Sequence, residues 1–191
     1  MAEQGTRVRL FVAVTIPQDV LTAVAKKMDE LRPRWPGARW SDVANQHVTL
    51  KFLGWAGAGD VSTIGAACGG VASAHSPARL SLGELGAFPT KKRVRVVWVG
   101  LDDPAGLLRS AARDLDAALQ PLGFEAEQRA FTPHLTLARL RTPLRMTEEW
   151  PAVSFDGHAW MCNEMTLFRS HLSPKGARYE ALSAFPFTVA S

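Results

Sequence analysis

The string His47-Val48-Thr49-Leu50 recurs in this chain as His134-Leu135-Thr136-Leu137. In an extended strand, residues i and i+2 project from the same face. Each copy therefore sets an imidazole beside a hydroxyl, while Val48, Leu50 and Phe52, or Leu135 and Leu137, turn toward a core. With an ordinary pKa of about 6.5, one imidazole can be neutral and take a proton from water while a second, protonated, gives one to a departing oxygen. Threonine hydroxyls on stiff β-branched side chains can hold phosphate oxygens and stabilise the extra charge of a pentavalent transition state. Two such pairs facing one another suit a phosphodiester and require no metal and no cofactor.

A single pair of this kind is more often a hydrogen-bonded histidine beside a surface threonine. Its recurrence, each copy followed by leucine in an apolar run, is what turns the reading to catalysis. His75, His158 and His171 fall in no such pattern and are expected to meet solvent or hydrogen-bond partners. A zinc site is not indicated, because neither an HxH nor an HExxH arrangement presents two nitrogens from one element.

The elements that must carry these residues are legible in outline. An apolar β-branched run from Arg7 to Thr15 is followed by Pro17, expected at the first helical position, and by a helix whose stripe is Val20, Leu21, Val24, Met28 and Leu31. Arg32, Pro33, Trp35, Pro36 and Gly37 break it. The first motif opens a strand, His47 to Gly54. Asp60 then stands as N-cap of a helix to about Ala74, and a hairpin pairs Ala78–Phe88 with Arg93–Leu101 around Pro89-Thr90-Lys91-Lys92. A helix from Pro104 to Gly123 precedes the second motif strand, His134 to Leu140. Beyond Pro143 come a turn at Glu148 and Glu149 and extended runs at Val153–Phe155, Glu164–Leu172 and Tyr179–Val189. The two halves look alike, so a pseudo-twofold α+β unit is expected over residues 1–191, with two lobes sharing one cleft.

Composition narrows the class further. Hydrophobic residues at 47% and charged residues at 21% describe a folded globular chain and exclude a disordered one. The net charge of +4 permits an anionic partner without the basic density of a DNA-packaging protein. No apolar window approaches about 18 residues, and Glu3 stands where a secretory signal would be basic, so a cytoplasmic protein off the membrane is expected. Cys68 and Cys162 lack CxxC spacing and read as buried thiols.

The motif strings occur in company. RLFVAVTIP (Arg9 to Pro17), Arg39-Trp40, NQHVTLKFLG (Asn45 to Gly54), GAFP (Gly86 to Pro89), RVVWVGL (Arg95 to Leu101), FTPHLTLAR (Phe131 to Arg139) and LFRSHLSPKGARYEAL (Leu167 to Leu182) follow in order. Together they resemble the 2H phosphoesterases, and within them the bacterial and archaeal RNA 2',3'-cyclic phosphodiesterases, also called 2'-5' RNA ligases. That resemblance implies a bilobal α+β fold of two antiparallel sheets facing a cleft, one motif strand in each, with helices outside. It also implies hydrolysis of RNA terminal 2',3'-cyclic phosphate to a 2'-phosphomonoester without metal or ATP. Some members in addition join 2',3'-cyclic and 5'-hydroxyl ends.

Carried onto matching positions, the resemblance makes His47 the proton donor to the leaving 3' oxygen and His134 the base that activates water. Thr49 and Thr136 become phosphate ligands and Arg139 a further phosphate contact. The division of acid and base comes from the resemblance alone, the two motifs being too alike to distinguish. Arg139 is five residues from His134, so an ideal strand would turn it to the opposite face, and a local bulge or a strand end is needed. Phe52 stands at the equivalent place after the first motif. For nucleosides, Phe11, Trp40 and Tyr179 are the candidate stacking faces, with core packing the competing reading, above all for Phe11. Lys91, Lys92, Arg93 and Arg95 could follow an RNA backbone or simply form a solvated hairpin tip. The expected partner is an RNA 3' end bearing the cyclic phosphate, bound by a monomer. The alternatives are the same chemistry on a 2'-5' oligonucleotide or small cyclic nucleotide, and a non-catalytic module that holds RNA ends.

Overall fold

In the computed structural model, which describes residues 6–145, 149–155, 157–174 and 176–188, the first strand, β1 (Arg7–Thr15), is buried without interruption from Leu10 to Val14. That is the pattern of a strand covered on both faces. The helix α1 (Gln18–Leu31) buries the expected stripe of Val20, Leu21, Val24, Met28 and Leu31. Pro17 is its N-cap rather than its first helical residue, with extended backbone and a carbonyl that accepts from the Leu21 N–H at 2.9 Å. Next come β2 (Ala38–Trp40), β3 (His47–Gly57) and α2 (Val61–Ser73). The Asp60 carboxylate does not cap α2. It accepts from the Gly57 N–H at 3.2 Å and holds the short 3-10 turn Ala58–Asp60.

The hairpin is β4 (Ala78–Thr90) and β5 (Arg93–Asp102). The helix α3 (Leu107–Leu119) begins later than Pro104: Gly106 is its N-cap, and the Asp103 carboxylate accepts from the Leu107 and Leu108 N–H groups at 3.0 and 2.7 Å. Beyond it, Gly123 closes a 3-10 turn with φ of 87°, a left-handed conformation that glycine adopts freely. The remaining strands are β6 (His134–Arg145), β7 (Ala159–Cys162), β8 (Glu164–Ser173) and β9 (Gly176–Pro186). Two differences from expectation stand out. Val153–Phe155 forms no strand, although Phe155 is buried, and the short strands β2 and β7 were not foreseen. Glu148, in the expected acidic turn, and Val189, at the end of the last expected run, lie outside the described residues.

The strands form two wholly antiparallel sheets, ordered β3-β1-β8-β9 and β2-β6-β5-β4-β7. Each carries one motif strand, as expected, but the sheets are not the two halves of the sequence. The first takes its strands from both ends of the chain, and the second takes β2 from between β1 and β3. The excursion to β2 runs through α1 on the way out and the 3-10 turn Val43–Asn45 on the return. Among the described residues no helix is long and apolar enough to cross a membrane.

One buried charge links the layers. Lys51, on β3, reaches α3, where its Nζ pairs with the Asp116 carboxylate and donates to the Glu125 carbonyl at 2.8 Å. The other Asp116 oxygen accepts from the Glu127 N–H at 3.4 Å, so the segment leading to the second motif is tied to the first motif strand. The Lys51 side chain is only 4% exposed, whereas that of Asp116 is 23% exposed. Asp116→Ala strands a buried ammonium and is expected to destabilise the fold by about 3–5 kcal/mol. Lys51→Met leaves a carboxylate that water can reach and should destabilise less. Urea unfolding of the two variants checks the order, and a larger loss for Lys51→Met would contradict this account.

Candidate active site

An extra residue in each motif strand determines which side chains face the cleft. Along β3, Lys51 is opposite Val12 while Thr49 is opposite Ala13, so Leu50 is the additional residue. Along β6, Ala138 is opposite Val97 while Thr136 is opposite Trp98, so Leu137 is additional. Each bulge resets the alternation: Leu50 and Lys51 are buried in succession, as are Leu137 and Ala138. The bulge required for Arg139 is therefore present, and Arg139 shares a face with His134 and Thr136. The same geometry corrects the expectation for Phe52, which is 64% exposed on the face of His47 and Thr49 rather than turned to the core.

The two histidines have matching surroundings. His47 Nδ1 lies 2.8 Å from the Asn45 carbonyl, and His134 Nδ1 lies 2.7 Å from the Thr132 carbonyl, each two residues upstream. A carbonyl only accepts, so Nδ1 carries the hydrogen and the neutral ring leaves Nε2 free as a base. The Tyr179 ring stands edge-on to His47 at 5.0 Å, and the Phe88 ring stands edge-on to His134 at 5.1 Å. Phe11 lies behind His47 at 4.7 Å, and Trp98 behind His134 at 5.9 Å. Burial pushes both pKa values below the ordinary one, against the opposing pull of the carbonyls. The positive charge of Arg139 lowers His134 further and has no counterpart at His47.

His47, Thr49, His134, Thr136 and Arg139 all line one open cleft of about 2250 Å³. That is well above the roughly 300–1,000 Å³ usual for a small-molecule pocket. The cleft is rich in arginine: Arg9, Arg39, Arg95, Arg129 and Arg178 border it along with Arg139. Of the basic hairpin tip only Arg95 reaches it. Lys91 instead lies over the Trp150 ring at 5.7 Å. Tyr179 is partly exposed at the wall, whereas Phe11 is 2% exposed beneath His47. Trp40 borders the cleft, but its ring packs on Trp35 at 6.3 Å and carries the Arg32 guanidinium at 5.3 Å. Its neighbour Arg39 takes the cleft face, because Arg39 is paired with Arg139 and Trp40 with the buried Ala138.

Several contributors escaped sequence reasoning. Asn45 offers its carbonyl to His47 and donates through Nδ2 to the Ala177 carbonyl at 3.3 Å, fastening the first motif to β9. Phe88 and Trp98 belong to the strings GAFP and RVVWVGL, and the family resemblance of those strings is the only sequence signal for them. Among the other histidines, His75 meets Asp114 at 3.0 Å and His171 meets Glu180 at 2.6 Å, the hydrogen-bonded settings expected for them. The Cys68 and Cys162 thiols are buried and pushed up to about 12, too high to act as nucleophiles at neutral pH. Among the described residues no three His, Cys, Asp or Glu side chains cluster as metal ligands would.

Comparison with known proteins extends this geometry. A family model described as the 2'-5' RNA ligase superfamily matches residues 15–174. An RNA 2',3'-cyclic phosphodiesterase of Methanothermobacter thermautotrophicus is 28% identical over 183 residues, covering 94% of this chain and 98% of the relative. One of Thermus thermophilus is 32% identical over 182 residues, covering 93% and 89%. A crystal structure of a Thermus thermophilus protein superposes with a TM-score of 0.79 at 28% identity, covering 94% of this chain and 97% of that one.

The lowered histidine pKa values bear on stability. Between the lowered values and 6.5 the unfolded chain binds more protons than the folded one, so stability rises with pH through that window and levels off above it. Melting temperature should fall on acidification from about pH 7.5 to about pH 5.5, and less steeply in a His47→Asn, His134→Asn double variant. A wild-type protein that gains stability on acidification would contradict the burial described.

Proposed function

The chain belongs to the 2'-5' RNA ligase superfamily, the 2H phosphoesterases, and we propose that it hydrolyses RNA terminal 2',3'-cyclic phosphate to a 2'-phosphomonoester by paired-histidine catalysis. One observation carries the reading: two imidazoles, each held at Nδ1 by a backbone carbonyl and each beside a threonine two residues on, line a single cleft.

His134 Nε2 takes a proton from water as its oxygen attacks phosphorus. The bond from phosphorus to O3' breaks, and His47 gives its proton to the departing O3', leaving a 3'-hydroxyl and a 2'-phosphate. Thr49 and Thr136 donate to the non-bridging oxygens, and Arg139 offsets the charge that builds on them. Arg139 also bears on the direction of transfer, since its charge favours the neutral, basic form of His134 alone. A bound phosphate anion raises the proton affinity of His47 and so favours the protonated form that the acid role needs. A 5'-hydroxyl in the place of water would form a 2'-5' linkage, and the open cleft has room for a second strand end. In this reading the whole chain is one catalytic unit, because each sheet supplies half of the site.

The test is a short RNA ending in a 2',3'-cyclic phosphate. Wild-type protein should release the 2'-phosphomonoester with no effect of EDTA. His47→Ala and His134→Ala should each lower kcat by about 10²–10⁴-fold while retaining wild-type circular dichroism. Tight binding without turnover would favour a module that merely holds RNA ends, and a 3'-phosphate product would overturn the assignment of the leaving oxygen.

Among the aromatics, Phe52 presents the free π face for a base, whereas Phe11 supports His47 from behind. Stacking contributes about 1–3 kcal/mol per base, so Phe52→Ala should raise KM for an oligonucleotide about tenfold with little change in kcat. Steady-state kinetics would refute this if KM stayed at the wild-type value.

A further inference from the structure

β2 is only three residues long and lies at the edge of its sheet, yet it puts an arginine in a costly position. Arg39 is directly opposite Arg139 in the β2–β6 pairing. Directly opposed residues on antiparallel strands share a face with Cβ atoms about 4.5–5.5 Å apart, and like charges in that relation repel. Both side chains are exposed and both border the cleft. Among the described residues neither has a carboxylate within ion-pair distance, although Arg32 and Arg113 each have one. Two arginines at directly opposed positions without a counter-charge are suited to an anion that both can reach.

The Arg39 side chain also reaches from its own sheet to the turn between β8 and β9. Its Nη2 lies where a Cβ on Gly176 would come within 3.4 Å, and Gly176 has φ of 132°. A glycine there leaves room for the guanidinium against the backbone, at one end of the cleft. The reacting phosphate belongs between the Nε2 atoms and hydroxyls of the motif strands. Arg39 is one strand farther out than Arg139, a step of about 4.8 Å between neighbouring strands, and lies beyond Thr136 along the strand direction. The anion that meets Arg39 is thus displaced from the reacting one.

We infer that Arg39, with Arg139, binds the internucleotide phosphate preceding the terminal nucleotide, so that the site selects an RNA strand over a free cyclic mononucleotide. Arg139 stands between the two phosphates and serves both, while Arg39 serves the second. This inference rests on the phosphodiesterase reading above and deepens it, supplying a substrate-length preference that neither the motifs nor the pinned histidines provide.

The experiment compares adenosine 2',3'-cyclic phosphate with the adenylyl dinucleotide ending in the same cyclic phosphate, as kcat/KM for wild type, Arg39→Gln, Arg39→Lys and Arg139→Gln. Wild type should favour the dinucleotide. Arg39→Gln should lower its kcat/KM about tenfold and that of the mononucleotide by less than twofold. Arg39→Lys should recover part of the loss, and Arg139→Gln should impair both substrates. For the dinucleotide, the slope of log(kcat/KM) against log salt should also become shallower by about 0.7 in Arg39→Gln, the amount for one phosphate contact on a single strand. Equal losses on both substrates would assign Arg39 to the reacting phosphate and overturn the inference, as would no loss on either. Should wild type hydrolyse neither compound, the phosphodiesterase reading is what fails. Fluorescence anisotropy with labelled mono- and dinucleotides ending in 2'-phosphate then decides the Arg39 inference by the same pattern of losses in affinity.

Discussion

One extra residue directly after the threonine of each motif strand sets what the cleft presents. Without Leu50 and Leu137 the strict alternation of a strand would send Phe52 and Arg139 to the helix side. With them, the cleft face of each strand gains a third position beyond its histidine and threonine, and the buried face gains two consecutive side chains. On β3 the second of those is Lys51, whose ammonium runs to Asp116 on α3 and to the Glu125 carbonyl, on the path to the second motif. The displacement that opens the site toward substrate thus also ties the first motif strand to the segment that precedes the second.

The bulges keep the backbone symmetric while the side chains break the symmetry. Both imidazoles are held at Nδ1, both are flanked by an edge-on ring, and both are depressed by burial. At the third position one strand carries an apolar ring and the other a permanent cation. That difference gives the two halves of the cleft distinct character: an exposed aromatic surface on one side and a positively charged wall on the other. Arg139 acts on its own histidine, because a fixed charge at the edge of a desolvated site is weakly screened.

Much of the site was legible from period-two spacing. His47 with Thr49 and His134 with Thr136 share faces because neighbouring even positions on a strand always do. Spacing failed at Phe52, since an alternation continued past Leu50 puts the ring in the core, and nothing in the letters HVTLKF marks the extra residue. The bulge at Arg139 was anticipated only because a resemblance required that residue to reach the phosphate. Trp40 is a candidate stacking face by its ring, but pairing with the buried Ala138 packs that ring against the core at the cleft border and sets Arg39 on the cleft face. A strand of three residues is too short to show periodicity. Val153–Phe155 shows the converse, a run expected to be extended in which Phe155 is buried and no strand forms.

From the sequence alone came the α+β class, most element boundaries to within a few residues, the two histidine and threonine pairs, and the kind of reaction they suit. These follow from local rules: the repeat of a helix or strand, caps and breakers, and the ordinary acidity of imidazole. Tertiary structure decided which strands became neighbours, so the lobes are interleaved rather than sequential. It also placed Asn45, Phe88 and Trp98 around the imidazoles and set two arginines opposite one another. Such facts depend on pairing between strands far apart in the chain, where register is settled by burial across the whole sheet rather than by any nearby residue.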